Sequence, residues 1–203
     1  MKTIKILSIS IIFILVVTSC DRYDTTTVIG SGDVETMEVS VADFTGISVT
    51  GTCDVDIRIG DIQSVELSAQ SQILDVMTYE VDDGILNIGF KRGTTIENSK
   101  EISADIVVPA VSYIAVTGAG DFKLDGEKQE ILDIYITGTG NVNAFNMEVD
   151  HCMVNISGAG MCELNVIESL DIQISGVGDI FYIGHPSLTS DISGVGNVTA
   201  VEQ

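Results

Sequence analysis

The sequence predicts an all-β fold, and within that class a single-stranded β-solenoid whose coils contain about 18–20 residues. The main observation is a glycine-rich heptad that recurs through the second half of the chain. On both sides of each heptad, apolar and polar residues alternate with period two, which is typical of strands that bury one face. No helical periodicity extends beyond a few residues, and this argues against a fold with long helices.

The repeated heptad contains a Gly-x-Gly segment between apolar residues. Five copies are present, and their first glycines are 20, 20, 18 and 18 residues apart. The copies begin at Val116, Ile136, Ile156, Ile174 and Ile192. A weaker copy, VTGTCDV, begins at Val49 and has Cys53 at the position of the second glycine. A near-constant step indicates a repeat architecture, in which equivalent residues lie above one another in neighbouring coils.

Stacking of this kind explains the glycines. They weaken ordinary strands, but they permit backbone dihedrals or a close approach between chains that other residues do not permit. We therefore expect them to turn the same corner in every coil, between strands whose inward residues form an apolar ladder. That ladder is predicted to contain Phe122, Val142, Cys162, Ile180 and Val198. The alternative is a hairpin-rich sandwich or barrel, although its glycine turns are usually less periodic.

Residues 109–203 form the predicted repeat solenoid, and residues 34–108 form a less regular N-terminal β region. We expect the two to make one continuous domain in which residues 34–108 cap one end of the stack. Within this region, Tyr79–Phe90 predicts a hairpin with an Asp-Gly turn, and Lys91–Glu101 predicts a polar loop. Strands are predicted over Phe44–Gly60, Ser64–Gln70 and Ile102–Pro109.

The opposite end of the stack has little to cover it. After Val198 the sequence continues as TAVEQ, which we expect to be a thin cap. An edge strand left open in this way can pair with another chain. The sequence therefore leaves a homo-oligomer open.

The N-terminal segment predicts export. Residues 1–19 are expected to be a signal peptide, because two lysines precede an apolar run over residues 6–17. That run is too short for a comfortable transmembrane helix, which needs about 20 residues. VVTSC resembles a lipobox, so Cys20 is predicted to be lipidated and residues 20–33 to include a polar tether. The chain would be anchored in the cell envelope, on the periplasmic or surface face of the outer membrane. The alternative is an ordinary secreted protein with a spare cysteine.

The charge of the chain restricts its partners. Once residues 1–19 are removed, seven basic and 30 acidic residues remain, which gives the mature chain a net charge of −23. Such a chain repels nucleic acid and anionic lipid, so we expect no nucleic-acid binding. The acidity provides solubility and suits divalent cations or basic partners.

The cysteines and histidines do not form a recognisable site. Besides the lipobox cysteine there are three, which include no C-x-x-C pair and cannot all be paired in one chain. We expect Cys53 to be exposed at a corner, while Cys152 and Cys162 either pack as reduced core residues or form a disulfide. His151 and His185 are expected to be incidental. The sequence predicts no catalytic residue, no metal site and no cofactor.

Four polar residues share one position of the repeat, directly after the second glycine. They are Asp121, Asn141, Asp179 and Asn197, and Met161 interrupts them. The simplest interpretation is that they satisfy backbone groups at a tight bend. A stacked column of acid and amide groups could alternatively bind calcium or hydrogen-bond a sugar. The heptad has only a passing likeness to the glycine-rich motif of calcium-binding β-helices.

The chain also resembles a known family. The segments VIGSGDVETMEVSVADFTGISVTGTCDVDI, VDDGILNI and IVVPAVSYIAVTGAGDF, with the later Ser-Gly-x-Gly copies, resemble the auto-transporter adhesin head domain, or GIN domain, of exported bacterial proteins. The similarity covers about Val28 to Val201. It implies a β-solenoid without established chemistry, in a family common among Bacteroidetes lipoproteins. Cys53 and Met161 depart from the family pattern, in which glycine and Asp or Asn are usual.

These observations lead to one functional hypothesis and one alternative. The favoured hypothesis is a lipid-anchored, non-enzymatic envelope protein that acts as an adhesin or surface scaffold and binds a glycan or a protein. The alternative is a carbohydrate-active β-helix enzyme, a polysaccharide hydrolase or lyase, which would need two carboxylates facing each other across a sugar cleft. The absence of tryptophan and an aromatic content of 5% argue against a sugar-stacking cleft.

Overall fold

Residues 25–202 are described by a computed structural model of the chain. The predicted signal peptide, the lipidation of Cys20 and the start of the tether lie outside the described residues. Within residues 25–202 the chain is mostly β-strand, so the predicted all-β class is confirmed. The one helix of this range, α1, is a single turn at Ser71–Leu74. No helix in the described residues has the length and apolar character needed to cross a membrane.

Seventeen strands make up the described fold. In chain order they are β1 (Thr26–Ile29), β2 (Val34–Val39), β3 (Gly46–Val49), β4 (Asp54–Ile59), β5 (Ser64–Gln70), β6 (Met77–Asp82), β7 (Ile85–Phe90), β8 (Thr94–Glu97), β9 (Ser103–Val108), β10 (Tyr113–Val116), β11 (Phe122–Asp125), β12 (Gln129–Ile136), β13 (Val142–Ile156), β14 (Ala159–Ile174), β15 (Val177–Ile183), β16 (Ser187–Ile192) and β17 (Val198–Ala200).

These strands form two sheets. β1 and β8 make a two-stranded parallel sheet, and the other fifteen strands make one large sheet that is curled and open. The longest strands, β13 and β14, run through both halves of the large sheet. The first part of β13 pairs with β11 and its second part with β12, while β14 pairs in the same way with β15 and β16. Both halves of the sheet therefore enclose one shared hydrophobic core.

Equivalent residues of successive repeats lie side by side in this sheet. Ile136 pairs with Ile156, and Ile156 pairs with Ile174, in parallel strands whose residues are 20 or 18 positions apart. The weaker copy of the heptad also takes part, because Val49 of β3 pairs with Val116 of β10. The predicted stacking of equivalent residues is thus confirmed. Successive repeats are not joined as antiparallel hairpins, in contrast to the alternative that the sequence left open.

The predicted apolar ladder is present as well. Its members, in register, are Phe122, Val142, Cys162, Ile180 and Val198. All are buried except Val198 in the last layer, which is half-buried. Val55 pairs with Phe122 and extends the ladder by one layer. Burial of each such side chain stabilises the stack by about 1.5–3 kcal/mol.

Close approach between layers, and not an unusual dihedral, explains the glycines of the heptads. None of the ten glycines in the five full copies has φ in the left-handed region. The carbonyl oxygen of Gly118 accepts the N–H of Thr139 in the next layer at 2.8 Å. A Cβ atom on Gly138 would lie well under 3.0 Å from the same oxygen. In the same way, a Cβ atom on Gly158 would meet the carbonyl oxygen of Gly138, and one on Gly176 would meet that of Gly158. A side chain at these positions would therefore push two layers apart.

The N-terminal half supplies the first layer of the stack and the strands beyond it. The predicted strand over Phe44–Gly60 is split at its corner into β3 and β4, which form the first layer. β7 and β6 follow on one side, and β9, β5 and β2 follow on the other. The predicted hairpin is confirmed as β6 and β7, with Asp83 and Gly84 at φ of 48° and 76° in its turn.

Two segments that were expected to lack secondary structure form strands. Thr26–Ile29, within the predicted polar tether, is β1, and Thr94–Glu97, within the predicted polar loop, is β8. The two strands pair in parallel, with Val28 opposite Ile96. Both side chains are partly buried against the hydrophobic core, which is why these segments are ordered as strands.

Candidate functional site

The polar residues that follow the Gly-x-Gly segments form a hydrogen-bonded column, which we call the polar ladder. Oδ1 of Asp121 accepts the backbone N–H and the side-chain Nδ2 of Asn141, both at 2.9 Å. Oδ1 of Asp179 accepts the same two groups of Asn197, at 2.9 and 3.1 Å. The structure therefore brings the four predicted residues together as pairs in neighbouring layers.

Asp54 is a fifth member of the polar ladder, and the heptad pattern alone did not identify it. Its Oδ1 accepts the backbone N–H of Asp121 at 2.9 Å. A signal for this residue was present in the sequence, because Asp54 stands at the same heptad position as Asp121. The replacement of the second glycine by Cys53 obscured that equivalence.

Met161 interrupts the polar ladder, and the backbone compensates at that layer. The N–H of Met161 is donated to Oδ1 of Asn141 at 3.1 Å, but Met161 has no side-chain oxygen to offer to the next layer. Here β14 begins at Ala159 and β15 at Val177, so both strands run through the corner and Met161 pairs directly with Asp179. In contrast, β11, β13 and β17 begin only after their polar-ladder residue.

This geometry supports the simplest interpretation of the polar ladder, with one difference. Its side chains satisfy backbone N–H groups of the adjacent layer and not those of their own bend. In two of the layers an amide follows a carboxylate, so that a donor faces an acceptor. Asp54 and Asp121, in contrast, are carboxylates in neighbouring layers. Among residues 25–202 there is no group of three or more His, Cys, Asp and Glu side chains arranged to hold a metal ion.

A shallow groove of about 400 Å³ lies beside the polar ladder, and we call it the corner groove. Its polar lining consists of Asp54, Asp56, Glu101, Asp121, Lys123, Asn141, Asn143 and Glu163. Asp56, Lys123, Asn143 and Glu163 pair in register on neighbouring strands, and Asn143 donates its Nδ2 to Glu163. Five carboxylates and one ammonium group thus face one groove, and the four residues in register are held on paired strands.

Two other depressions in the described residues are similar in size to the corner groove. One of about 480 Å³ follows the Gly-x-Gly corners. Its lining combines small residues such as Ala119 and Ala159 with three members of the polar ladder, Asp54, Asp121 and Asn141. The other, of about 460 Å³, lies away from the polar ladder and is lined in part by Phe44 and Gln63. Gln63 accepts the N–H of Phe44 at 3.3 Å and donates to a backbone carbonyl at 3.1 Å, so both ends of its amide are engaged with the backbone. The corner groove is the depression in which several charged side chains meet the polar ladder.

A second outward surface, on β10, β12, β13 and β14, combines aromatic and polar groups, and we call it the tyrosine face. The rings of Tyr113 and Tyr135 have centroids 5.4 Å apart and an interplanar angle of 36°. Asp133 pairs with Tyr113, and partial burial raises the pKa of the Asp133 carboxyl group. Asn155 pairs with Tyr135, and Gln173 pairs with Asn155, on successive strands. Nδ2 of Asn155 donates to Oε1 of Gln173 at 3.2 Å.

The three described cysteines belong to the core. Cys53 is only 2% exposed, so the prediction that it is exposed is wrong. Burial and the nearby Asp54 raise the pKa of its thiol to about 12. The Cys53 side chain has room at this corner because no earlier Gly-x-Gly layer packs against it.

Cys152 and Cys162 are buried free thiols, and burial raises the pKa of the Cys162 thiol to about 12. Of the two interpretations, the structure therefore shows reduced core residues.

His151 has closer polar neighbours than the sequence suggested. Its Nδ1 lies 2.9 Å from Oγ of Ser169, and its Nε2 lies 3.4 Å from a carboxylate oxygen of Glu168. The side chains of His151 and Glu168 are about half exposed, and none of the three residues lines the corner groove. Nucleophilic catalysis needs such groups aimed at a bound substrate, and this surface cluster provides no enclosure for one. His185 lies between β15 and β16.

The fold and its surfaces define a class, namely a repeat-built all-β protein whose stacked layers expose shallow polar faces. A family model described as "Putative auto-transporter adhesin, head GIN domain" matches residues 43–138 and 116–186. Together the two matches span more than half of the chain, and the protein belongs to this family. The resemblance seen in the heptads is therefore confirmed.

Two solved structures illustrate the shared fold. A "putative adhesin" from Bacteroides fragilis is 19% identical with a TM-score of 0.60, and the alignment covers 86% of this chain and 100% of that one. A "putative lipid binding protein" from Parabacteroides distasonis is 18% identical with a TM-score of 0.54, over 87% of this chain and 100% of that one. At these identities the similarity shows the fold alone. No curated protein matches the chain.

The contribution of the polar ladder can be measured with two substitutions of Asp121. Asp121→Ala removes the acceptor of both hydrogen bonds from Asn141 and should lower the free energy of unfolding by about 1–3 kcal/mol. Asp121→Asn retains Oδ1 as an acceptor and should cost less than about 1 kcal/mol. Urea denaturation measures both values. Equal losses in the two variants would show that these hydrogen bonds do not stabilise the stack.

Proposed function

We propose that this protein is a lipid-anchored, non-enzymatic protein of the cell envelope that binds a partner in the manner of an adhesin. Its membership of an adhesin head family supports a location at the cell surface or in the envelope. The observation that carries the proposal is the corner groove, an open and strongly acidic surface built on paired strands. An open groove suits contact with another macromolecule better than it suits enclosure of a small substrate.

Within this proposal the stack acts as a β-solenoid scaffold. The parallel pairing at steps of 20 and 18 residues supports that classification. Neighbouring strands in such a stack lie about 4.8 Å apart, so the side chains of the corner groove stand at regular intervals on a fixed backbone. A surface that is ordered before binding loses little conformational entropy when it binds.

The charge of the corner groove favours a protein ligand with exposed lysine or arginine side chains. A groove lined mostly by charges of one sign concentrates the electric field and attracts the opposite charge. The carboxylates of Asp56, Asp121 and Glu163 can each accept charge-assisted hydrogen bonds from a guanidinium or ammonium group. The predicted net charge of −23 opposes the binding of anionic polysaccharides at the same surface.

A neutral glycan on the tyrosine face is the second candidate ligand. The Tyr113 and Tyr135 rings offer flat apolar surfaces with a polar tip, and the side chains of Asp133, Asn155 and Gln173 can hydrogen-bond to hydroxyl groups. The alternative of a carbohydrate-active enzyme is not favoured. The acidic side chains of the corner groove are neighbours on one outer face, whereas glycoside hydrolysis needs two carboxylates on either side of the scissile bond.

Lipid anchoring is tested by Cys20→Ala. The native chain should incorporate a radiolabelled fatty acid in cells and sediment with membranes, because acyl chains on Cys20 provide the anchor. The variant should lose the label and leave the membrane fraction. Ser19→Ala is the matched control, since it keeps a small residue beside the cysteine and should behave as the native chain. A native chain that takes up no label would contradict the anchor.

Binding is tested with residues 21–203 on arrays of basic and neutral matrix proteins and of glycans, with calcium and with a chelator. We expect a basic protein to bind at low salt and to dissociate as the salt concentration rises. The double variant Asp56→Asn/Glu163→Gln should bind about tenfold more weakly, equivalent to about 1.4 kcal/mol. The control Glu80→Gln/Asp82→Asn removes the same charge from β6 and should bind as the native chain does.

The outcomes of this screen separate the two ligands. Glycan binding that is lost in Tyr135→Ala and retained in the corner-groove variant would support the tyrosine face instead. Equal weakening by the corner-groove variant and the β6 control would show that only the overall charge matters. The absence of binding to any basic protein or glycan, in either calcium condition, would contradict the adhesin proposal.

A further inference from the structure

The last layer of the stack, which we call the terminal layer, consists of β16 and β17. β16 pairs only with β14 and β17 only with β15, so each leaves one edge of backbone N–H and C=O groups unpaired by any described strand. In the layer beneath, Leu170 and Ile174 are 0% and 1% exposed. Their partners in the terminal layer, Leu188 and Ile192, are 43% and 38% exposed. Within the described residues, the hydrophobic core is therefore open at this end.

Exposed apolar side chains are concentrated around the terminal layer. Ten large apolar residues are strongly exposed in the described chain, and five of them lie at this end. These five are Val177, Leu188, Ile192, Val195 and Val201. An open sheet edge that is flanked by exposed apolar residues favours pairing with another chain.

Charge distinguishes the terminal layer from the opposite end of the sheet. Residues 186–201 contain a single acidic residue, Asp191, and no basic residue, although the chain has 30 acidic residues. The edge strands of the opposite end, β2 and β6, carry Glu35 and Glu38, and Glu80 and Asp82, respectively. Acidic side chains on an edge strand discourage edge-to-edge pairing. A highly acidic chain can therefore approach another copy with least repulsion at its terminal layer.

We propose that the terminal layer binds the terminal layer of a second copy of this chain across a two-fold axis. Such an axis brings identical sheet edges together in antiparallel orientation and makes the interface self-complementary. Leu188 and Ile192 of each copy then cover the open core of the other. The assembly closes at two copies, because the acidic edges β2 and β6 do not offer a matching surface for further addition. This dimer does not depend on which ligand the corner groove binds.

The dimer is tested by sedimentation equilibrium of the full chain in density-matched detergent, used in large excess over the protein. The native chain should sediment with twice the mass of one chain, and higher salt should strengthen the dimer because it screens the repulsion between acidic copies. The double variant Leu188→Lys/Ile192→Lys should raise the dissociation constant at least tenfold. The matched control Ile62→Lys/Ile131→Lys alters two exposed isoleucines outside the terminal layer and should leave the dimer intact.

Circular dichroism and urea denaturation establish whether the double variant is folded. If it is not, the single variant Val195→Lys is used instead, because Val195 is 68% exposed at the corner of the terminal layer and its substitution disturbs folding less than the double substitution does.

Three results would overturn the proposal. They are a native chain that stays monomeric at every concentration up to about 100 µM, a dimer that persists in the folded terminal-layer variant, and an open-ended increase in mass that indicates head-to-tail assembly.

Discussion

Hydrogen bonding between adjacent Gly-x-Gly corners is the constraint on which the rest of the structure depends. Each first glycine offers its carbonyl to the next layer so closely that the following first glycine has no room for a Cβ atom. A glycine in a strand costs roughly 0.5–1 kcal/mol relative to alanine, whereas forcing a methyl group into a tight contact costs about 1–3 kcal/mol. The second cost is larger, and this explains why the heptad keeps its glycines against strand propensity.

The spacing of the corners also determines where polar and charged groups meet. The polar ladder joins successive layers on one side, and the acidic corner groove follows from the same register. Where Met161 removes one acceptor, the strands run through the corner and the backbone replaces it. Acidic side chains lie in the corner groove and on the edges at one end of the sheet, while the terminal layer is almost free of them. The same repeating unit therefore produces a candidate binding groove and, within residues 25–202, a last layer with an unpaired edge.

The sequence could predict the stacking, because a step of 20 or 18 residues translates directly into register. The same spacing also indicates the tyrosine face. The sequence separation of Tyr113 and Tyr135 is one repeat of 20 residues plus two, which makes them diagonal neighbours on one face of the sheet. Other features could not be predicted in this way. Thr94–Glu97 is too short to show a period, and its pairing with β1 depends on distant residues. Cys53 is buried in the layer that precedes the first Gly-x-Gly copy, and no local pattern reports what packs against that layer.

The role of the glycines is tested most directly by the stability of Gly138→Ala, measured by urea denaturation beside Thr139→Ala. We expect Gly138→Ala to lower the free energy of unfolding by about 1–3 kcal/mol, because the new methyl group meets the carbonyl of Gly118. Thr139→Ala, at an exposed position of the same corner, should change it by no more than about 0.5 kcal/mol. A Gly138→Ala variant as stable as the native chain would contradict the claim that close approach between layers requires the glycines.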